Sequence, residues 1–203
     1  MLEKEKNTTR DKILTTAARM FAESEYDRVT MRKIAKDIGI NPASIYYYFP
    51  SKEEILKSLY KLYSEGRRKL YPDLNALLTM AESEPPLVIL DKSQYFYDDD
   101  VMNEFFNQIL ITATRRIYND AESERFIREN MYDPIIGLMK PLLGRMMELG
   151  KIRKFDIDIF LEMLFCYCFG AASLMDSPFK QGLVRFRGAL SSIYSFIVPV
   201  KES

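Results

Sequence analysis

The chain has 203 residues, 47% of them hydrophobic and 29% charged, which places it among globular proteins of one or two domains. There is no histidine, no glycine-rich phosphate loop and no cluster of acids around a nucleophile, so an enzyme, a metal centre or a bound cofactor is not expected. Net charge is zero, yet residues 1–70 hold 15 Lys+Arg against 10 Asp+Glu while residues 71–203 hold 14 against 19, which puts the basic excess in the N-terminal third, where a polyanion would bind.

The charged start, Met1 to Lys6, lacks the apolar core of a signal peptide and reads as a polar tail. Residues 9–24 read as a first helix, with Ile13, Leu14, Ala17, Ala18 and Phe21 on one face. Thr30 then caps a second helix, and Met31, Ile34, Ala35 and Ile38 recur at i, i+3, i+4 and i+7. Gly39 ends that helix cheaply in the left-handed region. Asn41 and Pro42 supply an N-cap and a first position for a third helix, whose inner face is Ile45 and Phe49.

Two short helices joined by so tight a turn form a helix-turn-helix, in which the second helix enters the DNA major groove. Its outer face carries Pro42, Ala43, Ser44, Tyr46, Tyr47 and Tyr48: small residues, hydroxyls and flat rings suited to phosphates, base edges and thymine methyls. Half-buried packing of the three tyrosines is the alternative. Successive helical residues step about 100° around the axis, so at least one of the three faces outward.

Ser51 and Glu54 form a capping pattern for a fourth helix over 52–70, with Ile55, Leu56, Leu59, Leu62 and Tyr63 at helical spacing. Beyond it the chain reads as helical throughout, with no strand alternation and no repeats. Helices are expected near 101–118, after Asp98-Asp99-Asp100, and over 121–149, where Pro134 and Pro141 introduce a kink or Asp133-Pro134 opens a new helix. Two more are expected at about 157–175 and 178–198. The stretch from Ile159 to Met175 contains Glu162 and falls short of a membrane span. Cys166 and Cys168 point to nearly opposite sides of one helix, and free thiols suit a reducing cytosol.

The N-terminal stretch resembles the DNA-binding domain of the TetR (tetracycline-repressor-like) family of bacterial transcription regulators. The matching residues are Thr9-Arg10, Ala18, Phe21, Tyr26, Thr30, Ile34-Ala35, Gly39-Ile40, Ser44-Ile45-Tyr46, Tyr48-Phe49 and Ser51-Lys52. Glu25 stands where the family usually has glycine. The resemblance implies an all-α fold with a helix-turn-helix domain over 1–51 and a helical ligand-binding and dimerisation domain over 52–203. It implies a cytoplasmic, non-enzymatic regulator, most often a repressor. Such a regulator binds a double-stranded operator as a homodimer and answers to a small-molecule effector.

Carried onto this chain, Pro42, Ala43, Tyr46 and Tyr47 are expected near bases, with Thr30, Ser44, Tyr48 and Lys52 on phosphates and Arg32 on either. Leu183, Phe186, Leu190, Ile193 and Ile197 repeat as a seam, and with Phe160 they are the expected dimer interface; a plain intrachain core is the alternative. An apolar effector site is expected from Phe96, Phe105, Phe106, Ile109, Met131, Met139, Phe165 and Phe169, where the same residues at helical spacing equally suit a core. A helical protein-interaction module with a vestigial DNA-binding domain is the competing reading of the whole chain.

Overall fold

The computed structural model describes residues 8–68, 71–93, 104–174 and 192–198, with side chains described for all of these except 68 and 168–174. Within these residues the fold is all-α. The helices are α1 (Thr9–Glu23), α2 (Met31–Asp37), α3 (Ile45–Tyr48), α4 (Lys52–Arg68), α5 (Leu74–Ser83), α6 (Pro86–Ser93), α7 (Glu104–Arg116), α8 (Ala121–Ile127), α9 (Asp133–Glu148) and α10 (Ile157–Leu174), and 192–197 is again helical.

Local chemistry sets the ends of these elements. Thr8 and Asp11 form a reciprocal capping box at the start of α1, each side chain accepting from the other's backbone N–H. The chain leaves α1 through Ser24 and Glu25, both extended, and turns once through a 3-10 segment, Tyr26–Arg28. Glu25 has φ −62°, so this connection does not need a glycine. α2 ends on Gly39 at φ +73°, where the N–H of Ile40 reaches Ala35 O and that of Gly39 reaches Lys36 O. That pair of bonds satisfies the carbonyls a helix end leaves open. Gly150, at φ +67°, ends α9 with the same pair of bonds, from Lys151 to Met146 and from Gly150 to Met147.

Two apolar cores carry the packing. The first joins α1, α2 and α3 to α4, α7 and α8: Ile13, Phe21, Ile34, Ile45, Ile55, Leu59, Tyr63, Ile109 and Phe126 all belong to it. The second joins α5, α6, α9 and α10 with Tyr194 and Ile197. The long stretch expected at 121–149 is not one helix. Between α8 and α9 lies a π-helical turn, Arg128–Tyr132, and Pro134 occupies the first turn of α9, where its missing N–H costs nothing. Asn130, buried in the π turn, donates to Phe126 O and accepts the Tyr71 hydroxyl at its carbonyl. The turn thus joins the helix that ends in the first core to the helix that fills the second.

Candidate nucleic-acid interface

The recognition element is short. α3 spans Ile45–Tyr48, and a turn precedes it over 42–44. Asn41 does not cap a helix beginning at Pro42, as its type suggests. Its Oδ1 accepts from Ala43 N at 2.8 Å and its carbonyl from Ser44 N at 2.8 Å, which closes a side-chain-braced turn. Ile45 and Phe49, at 0% and 2% exposure, anchor the element to the first core.

Anchoring those two positions turns the intervening residues outward. Tyr47 is 88% exposed, Tyr46 52% and Tyr48 37%, and the Tyr47 and Tyr48 rings meet edge to face at 5.3 Å. Pro42, Ala43 and Ser44 lie exposed on the same segment, and Arg32 is exposed on α2. Thr30 is exposed too, and its hydroxyl accepts from Lys33 N at 3.2 Å, which fixes the start of α2. Arg10 stacks its guanidinium over the Phe49 ring at 4.9 Å, beside the end of α3. Arg19 bridges α1 to α2 by pairing with both Glu23 and Asp37.

Lys52 is more deeply engaged than its expected role requires. Its ammonium donates to Tyr26 O at 2.8 Å and to Val29 O at 3.1 Å, and it sits 3.9 Å from the centroid of the Tyr26 ring. Partial burial lowers its pKa, an effect the Arg116 charge reinforces and Asp27 and Glu53 oppose. An ammonium has three donors, and among the described residues two of them go to carbonyls. Burial, then the Glu53 carboxylate, raises the Tyr26 phenol well above its ordinary pKa.

The residues expected around an effector divide between the two cores. Ile109 is fully buried in the first, and Phe105, Phe106, Met131 and Phe165 pack half-buried against it. Phe106 meets Tyr63 edge to face at 5.5 Å, the Tyr63 hydroxyl lies 3.6 Å from Met131 Sδ, and Phe165 meets Tyr132 at 4.9 Å. Met139 is buried in the second core. Phe96 and the Phe169 side chain lie outside the described residues.

Of the expected dimer residues, Leu183, Phe186 and Leu190 lie outside the described residues. The others pack wholly or partly against their own chain. Ile197 is buried and its carbonyl accepts Arg153 N at 2.8 Å, while Phe160 and Ile193 pack against the second core. The outward positions are their neighbours: Ile159 at 57% exposure, Met163 at 67% and Phe196 at 75%. With Phe155, Phe160 and Ile197 they line an open groove of about 320 Å³. Sequence periodicity does not separate Ile159 and Met163 from the inward positions. They follow the same apolar helix, and α10 is hydrophobic on more than one side, so period alone does not say which stripe faces its own chain.

Comparison with known proteins bears on this geometry. Residues 13–59, which run from α1 to the middle of α4, match the family described as bacterial regulatory proteins, tetR family. Over 186 residues, 85% of this chain and 93% of the relative, the sequence is 25% identical to the biofilm operon icaADBC HTH-type negative transcriptional regulator IcaR of Staphylococcus aureus strain Newman. These matches support a tetR-family regulator. Against the IcaR of Staphylococcus epidermidis the identity is 42%, confined to 48 residues, 24% of this chain and 26% of that one. The whole fold is shared more widely. The TetR-family regulator PfmR from Thermus thermophilus superposes with a TM-score of 0.62 at 22% identity, covering 98% of this chain and 100% of the other. A tetR-family protein from Rhodococcus RHA1 superposes at 0.66 with 14% identity, covering 97% and 100%. They support a DNA-binding transcriptional regulator, and tetR-family proteins are regulators rather than enzymes. Among the described residues no helix is long and apolar enough to cross a membrane.

Proposed function

We propose that the chain is a repressor that binds a pseudo-palindromic operator as a two-fold dimer in the cytoplasm and leaves it when a small, largely apolar molecule binds. The observation that carries the reading is the exposed Tyr46–Tyr47 face, held out by the buried pair Ile45 and Phe49. Side chains that large, turned to solvent beside a basic segment, suit a nucleic-acid groove better than a packed interface of the same chain. Pro42, Ala43, Tyr46 and Tyr47 take the bases. Thr30, Ser44, Tyr48 and Lys52 take phosphates, and Arg32 takes either. The negative regulation in the name of the IcaR relatives supports repression here.

One recognition element of four helical residues reads few bases, and a dimer doubles the contact on half-sites about one turn apart. The apolar stripe of Ile159, Met163 and Phe196 supports a second copy at that face. Residues 1–51, with Lys52 at the head of α4, serve the DNA, and the rest of 52–203 serves the effector and the dimer. The half-buried rings Phe105, Phe106 and Phe165 with Met131, packed against the first core, and the contact of Phe165 with Tyr132 support an apolar effector. Its differential affinity for the two forms of the dimer sets the release, on the order of 1–3 kcal/mol. Selection of bound duplexes from a random pool tests the reading. The expected product is one motif with two-fold symmetry. A pool that gains no motif after repeated rounds would leave the protein an interaction module with an idle DNA-binding fold.

A further inference from the structure

The effector half holds the DNA-reading unit at a second place besides α4. α7 ends on Arg115 and Arg116, and both reach across to the N-terminal unit. Arg115 donates through Nη1 to the carbonyl of Ala22, in the last turn of α1. That turn has no basic residue of its own, and its open carbonyls carry the negative end of the helix dipole. Arg116 places its guanidinium carbon 3.9 Å from the centroid of the Tyr26 ring. Asp120 holds the far edge of that guanidinium at 3.3 Å, and its Nε is buried with no hydrogen-bond partner among the described residues, as suits a group laid against a ring.

Tyr26 is itself the support of Lys52, whose ammonium lies 3.9 Å from the same ring and bonds the carbonyls of Tyr26 and Val29. A chain of contacts therefore runs from the end of α7, through one aromatic ring, to the residue that opens α4 and the turn that opens α2. α7 also packs on α1 within the first core, to which Ile109 and Ala113 belong, and that apolar packing does not need the arginines. What the arginines add is direction, because two cations on fixed partners restrain how the three-helix unit rotates on the α7 body.

We infer that Arg115 and Arg116 are positioning residues for DNA recognition: they set the angle of the reading unit on the effector body, and so the spacing between the two recognition elements of a dimer. This rests on the dimeric reading above. In a dimer, affinity for one half-site reports the integrity of a single reading unit, whereas the gain on adding the second half-site reports how well the two units are spaced.

The test uses the full-length protein with a selected duplex and the same duplex with one half scrambled. For Arg115→Ala/Arg116→Ala, half-site affinity is expected to stay within about twofold of wild type while full-site affinity falls roughly tenfold or more, in the range of measured couplings between sites. Arg116→Lys, which keeps a cation for the ring, is expected to retain more of the full-site gain than Arg116→Ala. An unchanged ratio of full-site to half-site affinity in the double variant overturns the inference. So does an equal loss on both duplexes, since the arginines would then only support the fold of the reading unit. A wild type that gains nothing from the second half-site refutes the dimeric reading instead, and this inference with it.

Discussion

Gly66 lies in α4 with the Phe106 ring of α7 directly against its backbone. A methyl carbon added there would sit 2.6 Å from Phe106 Cζ and 3.3 and 3.4 Å from Cε2 and Cε1. Carbon atoms prefer about 3.5–4.0 Å, so the overlap is close to 1 Å and either the ring or the helix must move. Two effects oppose each other in Gly66→Ala. Helix propensity favours alanine by about 1 kcal/mol. Overpacking costs about 1–3 kcal/mol, and the edge-to-face contact of Phe106 with Tyr63, worth about 0.5–1.5 kcal/mol, is disturbed as the ring swings away. The net expectation is a loss of about 1–3 kcal/mol, or several degrees in Tm for a chain of this size.

Gly137 is the internal control. It lies within α9 with nothing inside 4 Å of an added Cβ, so Gly137→Ala is expected to gain up to about 1 kcal/mol by propensity alone. Denaturant unfolding of both variants gives the comparison, and Gly66→Ala combined with Phe106→Leu should recover part of the loss. A Gly66→Ala protein stabilised as much as Gly137→Ala would show that the Phe106 ring does not rest on α4, and the joint between α4 and α7 would be wrong.

Met163→Glu places a charge on the exposed apolar stripe of α10; sedimentation should show monomers where wild type is dimeric, with helical content unchanged, and dimers that persist would move the interface elsewhere. The Tyr60 hydroxyl and Ser123 Oγ share a buried hydrogen bond at 2.8 Å, so Tyr60→Phe should cost about 1 kcal/mol in chemical denaturation, and a neutral change would argue against that bond. Burial pushes the Tyr60 phenol up to about 12 from its ordinary 10 and raises Tyr63 and Tyr26 as well. A folded-state pKa above the unfolded value gives stability that is full below about pH 10 and is lost as pH rises through the folded pKa. Melting temperature should therefore fall steeply from about pH 10 toward 12, and absorbance titration of the native protein should show phenols that ionise only as it unfolds.

Much of the reading unit was legible because its signals are local. Thr30, Gly39 and the inner pair Ile45 and Phe49 each act within one turn of themselves, and a single sequence shows that. The start of α3 was not legible for a related reason: an asparagine followed by proline offers the same side-chain bond to a helix cap and to a braced turn, and only the backbone after it decides. The π turn at Arg128–Tyr132 has no local signature, because its register is set by Asn130 meeting Tyr71 and Met131 meeting Tyr63, partners 59 and 68 residues away. Arg115 bonding Ala22 spans 93 residues and was invisible for the same reason. On α10 the apolar content was plain, but which stripe it spends on its own chain depends on α9 and on 192–198, which period cannot supply.

The outward tyrosines are proposed to read DNA. Affinity for a duplex selected by the wild-type protein, measured at one fixed salt concentration for wild type and for Tyr46→Ala/Tyr47→Ala, tests it most directly. Both rings are largely exposed, so the variant should fold and melt as wild type does. Loss of base contacts should cost on the order of 1–3 kcal/mol per half-site on the selected duplex and leave binding to scrambled DNA and its salt dependence nearly unchanged. A variant that binds the selected duplex as tightly as wild type, with the same preference over scrambled DNA, would contradict the account.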